Sequence, residues 1–297
     1  MVRQLRRQLP GESLVYAAVE GAAPVSAAAP AVRRALEALS SEGPKLVVVA
    51  SNRLSASFLG GAPDGPQSQL TATSGLPVPV FGIIGAGARA TVAALRNLKD
   101  SRSPSCGCPA KARPKPYIHK MKLGLVAAEE TLAGGVYVQA LVEEGYHGPI
   151  SVFPCGNLDS LVESGELEGG KAEAEVAKIL QGTPPDLDGL LVASTYAAHL
   201  NRVFEGMMGE DTMLIDPAGE LALEVAERLA AAGTPNPGDR GRTARMLLVK
   251  NAAAGRETGA GAESAAGRHG DAERFAASAA KLLGEDVAPA AVVELVY

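Results

Sequence analysis

An α/β fold with mostly parallel sheets is predicted by three observations. Short apolar runs alternate along the chain with amphipathic, helix-length segments, which is the pattern of βαβ units. The apolar content is 46% while aromatics are only 4%, with no Trp, so the core is built of aliphatic strands and Ala-rich helices. Two apolar strands end in the same chemistry, Ala50-Ser51-Asn52 and Ala193-Ser194-Thr195. The 297 residues are enough for two ordinary domains or one large one.

The opening MVRQLRRQLP is basic and resembles the start of a transit peptide, but it lacks a Ser-rich continuation. It runs straight into strand-like SLVYAAV and is read as a first helix. Strands are expected at Leu14–Ala18, Lys45–Ala50, Val78–Ile84, Lys122–Ala127, Ile150–Phe153, Gly189–Ala193, Thr212–Ile215 and Met246–Val249. Helical periodicity lies between them, in VRRALEALSSEG, ARATVAALRNL, GVYVQALVEEG, AEAEVAKIL and ELALEVAERLAAAG. Three segments break the rhythm. Residues 60–75 read as a Gly/Pro/Ser/Gln loop, 101–118 as a Pro-rich basic insertion, and 252–268 as Gly/Ala low-complexity sequence expected to be disordered.

A formal charge of −5 argues against a nucleic-acid surface spread over the protein. Three cysteines, Cys106, Cys108 and Cys155, make no disulfide framework and suggest a reducing compartment, the cytoplasm or an organelle interior, not secretion. No apolar run reaches the roughly 18 residues of a membrane span.

In an open parallel sheet, ligands sit beyond the carboxyl ends of the strands, where helix N-termini point N–H groups at anions. Ser51-Asn52 and Ser194-Thr195 fall at two such ends. Read alone, each is equally an ordinary helix N-cap.

Taken together, the two motifs resemble those of the glutamate racemase family, within the aspartate/glutamate racemase superfamily. There, two strands end in Ala-Cys-Asn-Thr-Ala-Ser-Ala and Gly-Cys-Thr-His-Tyr-Pro. This chain has Ala50-Ser51-Asn52-Arg53-Leu54-Ser55-Ala56 and Ala193-Ser194-Thr195-Tyr196-Ala197-Ala198. Further stretches are similar to family segments: LRRQLPGESLVY, LPVPVFGIIGAGARATVAAL, KLGLVAAEETLAGGVYVQAL, FPCGNLDSLVESGEL, MLIDPAGELALEVAERL and HGDAERFAASAAKLLGE. The resemblance implies two Rossmann-like α/β/α domains with pseudo-two-fold symmetry and an interdomain cleft. One would comprise residues 1–98 plus 212–297, the other 119–211. It also implies a cofactor-independent chemistry, interconverting L- and D-glutamate, and a family in which homodimers are common.

That chemistry takes the Cα proton from one face and returns one to the other, using two opposed cysteines. A thiol serves because its pKa near 8.5 can be lowered by its surroundings, whereas serine is a weak base unless strongly activated. Here both positions, Ser51 and Ser194, are serine. The His paired with the second family cysteine is Tyr196, and the Thr closing the first motif is Arg53. The Thr of the family's Ile-Ala-Thr strand end is Ala128. The Pro-Tyr-Gly carboxylate loop reads Pro24-Val25-Ser26. The family's N-terminal Asp-Ser-Gly motif, whose strand is central in its sheet, is not in this sequence; a third expectation is an incomplete N-terminus, in which case a longer chain would restore that strand though not the cysteines. Asn52, Thr195, Thr131 and Glu163 are retained, and with Ser26 and Arg53 they form the expected ligand-binding set for a small amino acid or dicarboxylate.

The expectation is a racemase homologue that has lost catalysis and acts as a binding or structural protein, with protein partners meeting its insertions. The alternative is an active glutamate or aspartate isomerase using substituted groups such as His199 or Tyr196. His199 could reach the cleft or pack on a helix; Arg53 could clamp a carboxylate or fill the pocket. Cys106-Gly107-Cys108 with His119 gives three metal ligands where a structural zinc needs four, so no metal is expected. Cys155 matches a non-catalytic family cysteine and is expected to be buried.

Overall fold

The computed structural model describes residues 1–20, 33, 35–59, 78–102, 118–156, 158–184, 186–209, 211–236, 243–250 and 291–293. The chain divides into two compact units, Met1–Gly82 with Ala222–Tyr297, and Ile83–Leu221.

In the first unit, α1 (Val2–Gln8) leads to β1 (Leu14–Glu20), which pairs in parallel with β8 (Thr243–Lys250). β8 pairs in turn with β9 (Ala291–Val293). A second, two-stranded parallel sheet joins β2 (Val47–Val49) to β3 (Val80–Gly82). Val47, Val49 and Val80 are buried with Leu36 from helical residues 35–40, and Leu39, Leu54 and Val78 pack against them. α2 (Asn52–Leu59) follows β2 directly.

The second unit holds one four-stranded parallel sheet in the order β5-β4-β6-β7. Its strands are β4 (Leu123–Ala127), β5 (Ile150–Pro154), β6 (Gly189–Ala193) and β7 (Met213–Ile215). Every residue of the two inner strands, LGLVA and GLLVA, is buried. Continuous apolar runs of this kind belong to parallel strands covered on both faces. β5, at the edge, is only partly covered, and Val152 is largely exposed. The helices are α3 (Ile83–Arg102), α4 (Glu129–Ala133), α5 (Val136–Glu143), α6 (Asp159–Ser164), α7 (Gly170–Ile179) and α8 (Asn201–Met207). α9 (Pro217–Ala231) crosses the boundary between the units. It starts with Pro at a position that needs no N–H, and Asp216 Oδ1 accepts the Ala218 N–H at 2.9 Å.

All eight expected strands are present, and β9 is a ninth that the sequence reading did not include. Two boundaries need correction. The strand expected over Val78–Ile84 ends at Gly82, and α3 begins at Ile83, several residues before the expected helix. The Gly-Ala-Gly-Ala stretch reads as a helix breaker, yet it lets α3 pack closely. A Cβ on Gly87 would stand 3.1 Å from Tyr137 and 3.2 Å from Pro217. Ser101 and Arg102 close this helix, while 103–117 of the expected insertion lie outside the described residues. So do the loop at 60–75 and the segment 252–268.

Tyr146, fully buried, fastens the strand β4 approach to that of β5. Its hydroxyl lies 2.8 Å from the carbonyl oxygens of both Met121 and Pro149. Burial, with the nearby Asp188 carboxylate, pushes its pKa up to about 12. An unfolded tyrosine ionises near pH 10, so between about 10 and 12 the unfolded state has released a proton that the folded state holds. Stability therefore falls as pH rises through that window. In Tyr146→Phe, urea unfolding is expected to show a loss of about 1 kcal/mol at pH 7 and a shallower decline above pH 10.

Candidate functional site

The first strand end is built by β2 and α2. Ser51 follows Ala50 at the end of β2, and its Oγ accepts the Leu54 N–H at 3.3 Å. Its carbonyl accepts the Ser55 N–H at 2.9 Å. These are the bonds of a helix N-cap, satisfying an amide that has no partner within the helix. Ser55, fully buried, donates its hydroxyl back to the Val49 carbonyl at 3.0 Å and ties the first turn to the strand. Sequence reasoning passed over Ser55; its spacing of four from Ser51 was the available signal. Asn52 is buried and Arg53 half-buried on the same turn.

The second strand end repeats the device. Ser194, only 8% exposed, follows β6. Its Oγ accepts the Ala197 N–H at 3.3 Å and its carbonyl the Ala198 N–H at 3.0 Å. A 3-10 turn, Ala197–Leu200, then runs into α8. Replacing either serine by alanine removes a cap, and each of Ser51→Ala and Ser194→Ala is expected to lower the urea stability by about 1 kcal/mol.

Cys155 stands beside Ser194, and their side chains share a hydrogen bond. The order of the sheet explains the meeting. β5 and β6 flank β4, and the Cys155 N–H donates to the Ala127 carbonyl at 2.9 Å, bringing the three carboxyl ends together. Cys155 is buried as expected, and burial pushes its thiol pKa up. Glu130 and Glu129 push the same way, against the Ser194 hydrogen bond. Such a thiol stays protonated and is a poor base.

The remaining residues divide. Thr131 lies in α4 just past the end of β4, and its Oγ1 is buried without a hydrogen-bond partner. Thr195 and Tyr196 are exposed and His199 half-buried; Tyr196 and His199 each have interactions of their own. Glu163 is exposed on α6. Ser26 lies outside the described residues, as do Cys106 and Cys108. The His119 ring stands 5.4 Å from that of His147, and its Nδ1 accepts the His147 N–H at 3.3 Å. Among the described residues no group of three or more His, Cys, Asp or Glu is placed to hold a metal, and no helix is long and apolar enough to cross a membrane.

These features define a two-unit α/β protein with parallel sheets, in which two strands end in serines that cap the helical turns that follow. No family model matches the chain. Over 243 residues it is 25% identical to the glutamate racemase of Picosynechococcus sp., covering 80% of this chain and 75% of that one. The chain belongs to the aspartate/glutamate racemase superfamily. Its fold is shared with a glutamate racemase isoform of Bacillus anthracis, at a TM-score of 0.69 and 22% identity, covering 99% of this chain and 92% of that one. It is shared too with the glutamate racemase of Francisella tularensis in complex with D-glutamate, at a TM-score of 0.68 and 15% identity over 98% and 91% of the two chains.

Proposed function

We propose that this chain is a racemase homologue that no longer racemises and serves as a binding or structural protein. One observation carries this reading: at both strand ends the hydroxyl of serine is engaged as a helix cap. A Cα proton needs a base whose pKa lies near the working pH. A serine hydroxyl titrates far above it without strong activation, and each of these hydroxyls accepts a backbone N–H instead. Cys155, beside Ser194, is buried, and its pKa is raised.

Binding is a separate matter from proton transfer. Asn52, Arg53, Thr131 and Thr195 keep amide, guanidinium and hydroxyl groups at strand ends. With Ser26 and Glu163 they are the groups we assign to a small amino-acid or dicarboxylate ligand. Thr131 Oγ1 supports this, since a buried hydroxyl without a partner is costly unless something else satisfies it.

Proton NMR of L- and D-glutamate, then aspartate, in D2O with the purified protein tests the reading. The expected result is no loss of the Cα proton signal over days, beyond a boiled-protein control. Exchange above that control would overturn it and turn attention to Ser51, Ser194, Tyr196 and His199.

A further inference from the structure

The amino ends of β4 and β5 lie side by side. The strands pair in parallel with Leu123 opposite Ile150, and the Leu123 N–H donates to the Pro149 carbonyl at 3.1 Å. A histidine precedes each strand. His119 belongs to a 3-10 turn, Ile118–Lys120, closed by a 3.0 Å bond from the Met121 N–H to the Ile118 carbonyl. His147 follows Tyr146 in the connection from α5 to β5. The two backbones have little room to move apart or together. The Tyr146 hydroxyl bonds the carbonyls of Met121 and Pro149, each two residues past a histidine. Gly148 lies so close to the turn that a Cβ on it would stand 2.9 Å from the His119 carbonyl oxygen.

Both histidines are exposed, and their ring centres stand 5.4 Å apart with the planes inclined at 49°. Two imidazoles on one tetrahedral ion, each with a nitrogen about 2.0–2.1 Å from the metal, have ring centres roughly 5 Å apart. The spacing already present is close to what a shared ion requires, and the backbone clasp holds it there. The His119 Nδ1 accepts the His147 N–H at 3.3 Å, which leaves Nε2 facing away from that connection. Coordination through Nε2 moves the ring proton to Nδ1 and gives up this bond. Little is lost, since N–H bonds of full strength are about 2.7–3.2 Å long.

Charge around the pair is balanced. Lys120 and Lys122 stand at this end of β4, but Lys122 Nζ is paired with Asp186, and the Lys122 N–H donates to the Asp188 carboxylate at 2.8 Å. A cation arriving here meets two carboxylates as well as two ammonium groups.

We infer that His119 and His147 form a two-imidazole site for an exchangeable divalent ion, Zn²⁺, Ni²⁺ or Cu²⁺, with water in its other positions. Neutral imidazole suits these ions, whereas Mg²⁺ and Ca²⁺ take oxygen ligands. Two protein ligands fall short of the four that close a structural zinc site, so the ion's open positions stay available to a further ligand. Once bound, the ion clips the approaches of two paired strands together and stabilises the second unit by mass action.

The test titrates Zn²⁺ into the untagged full chain carrying Cys106→Ser/Cys108→Ser, so that those thiols do not compete, and follows the ring protons of its four histidines by NMR. The signals of His119 and His147 are expected to move together, and Mg²⁺ is expected to move neither. His119→Ala and His147→Ala are each expected to weaken Zn²⁺ binding at least about ten-fold, since one imidazole loses the effective concentration of the other. His119→Gln and His147→Gln, which keep a polar side chain at each exposed position, are expected to behave as the alanine variants do. The double variant is expected to bind little more weakly than either single one, because either change already ends chelation. Movement of one ring without the other, or Zn²⁺ binding that either alanine variant leaves unchanged, would overturn the inference. So would losses that add in the double variant, the mark of two separate one-ligand contacts.

Discussion

A cysteine placed at position 194 is expected to alkylate with iodoacetamide at least about ten-fold more slowly than a free thiol at pH 7.5. The Ser51→Cys/Ser194→Cys variant is expected to remain silent in Cα exchange. The surroundings of Ser194 give the reason. The side chain is almost wholly buried, so a thiolate there loses its hydration. Its neighbour is Cys155, whose own thiol is pushed up by burial first and then by Glu130 and Glu129. A sulfur at 194 would enter the same negative field. The resemblance expects a His to oppose that field at the place that Tyr196 occupies here. Each pKa unit of elevation removes ten-fold of the thiolate at fixed pH. Alkylation is measured on the Ser194→Cys single variant in a Cys106→Ser/Cys108→Ser background, so that Cys155 and the new thiol are its two cysteines. Adding Tyr196→His is expected to speed alkylation, because an imidazolium beside the thiol favours its ionised form. Rapid alkylation in the single variant, with racemisation in the double variant, would mean that loss of sulfur alone separates this chain from activity.

Much of the fold could be read from sequence because parallel strands buried on both faces leave an unbroken signature. LGLVA and GLLVA contain no polar residue to misplace, and both strands fall within the expected spans. Boundaries were less legible where a tertiary contact decides them. Gly85 and Gly87 lower helix propensity locally, but Gly87 is what allows α3 to lie against Tyr137 and Pro217. Periodicity carries no trace of that contact. β9 is three residues long and too short to show a period.

The strand-end serines were legible as positions and ambiguous as chemistry. A Ser before a helix signals a cap, and a Ser at the carboxyl end of a parallel strand signals a ligand site. The sequence Ala-Ser-Asn satisfies both. Cap geometry is described by bonds to Leu54 and Ala197, three residues on in each case, which spacing alone permits without requiring. The meeting of Cys155 with Ser194 was not legible, because it depends on β5 and β6 being neighbours of the same strand.

The largest effect on stability is expected from Gly124→Val. Gly124 is the second residue of β4, the inner strand on which the second unit's sheet depends. A Cβ added there would stand 2.6 Å from Leu190 Cδ1, 3.0 Å from Leu187 Cδ1 and 3.1 Å from Phe153 Cε2. All three neighbours are buried in one cluster with Val126, Cys155 and Phe204, so none can turn aside into solvent. Overpacking by a single methyl commonly costs about 1–3 kcal/mol, and valine brings two more methyls to the same place. Set against a total stability of about 5–15 kcal/mol, Gly124→Val is expected to leave the second unit largely unfolded at 37 °C, while Gly124→Ala lowers the urea midpoint. Two controls separate packing from backbone effects. Gly206→Ala, in α8 with nothing within 4 Å of the added methyl, is expected to be neutral or stabilising. Leu190→Ala clears the nearest obstacle, so its cost and that of Gly124→Ala should add to more than the cost of the double variant, a coupling of about 1 kcal/mol or more. Simple additivity would mean that the neighbours shift at little cost and that the small residue here reflects strand composition, not shape.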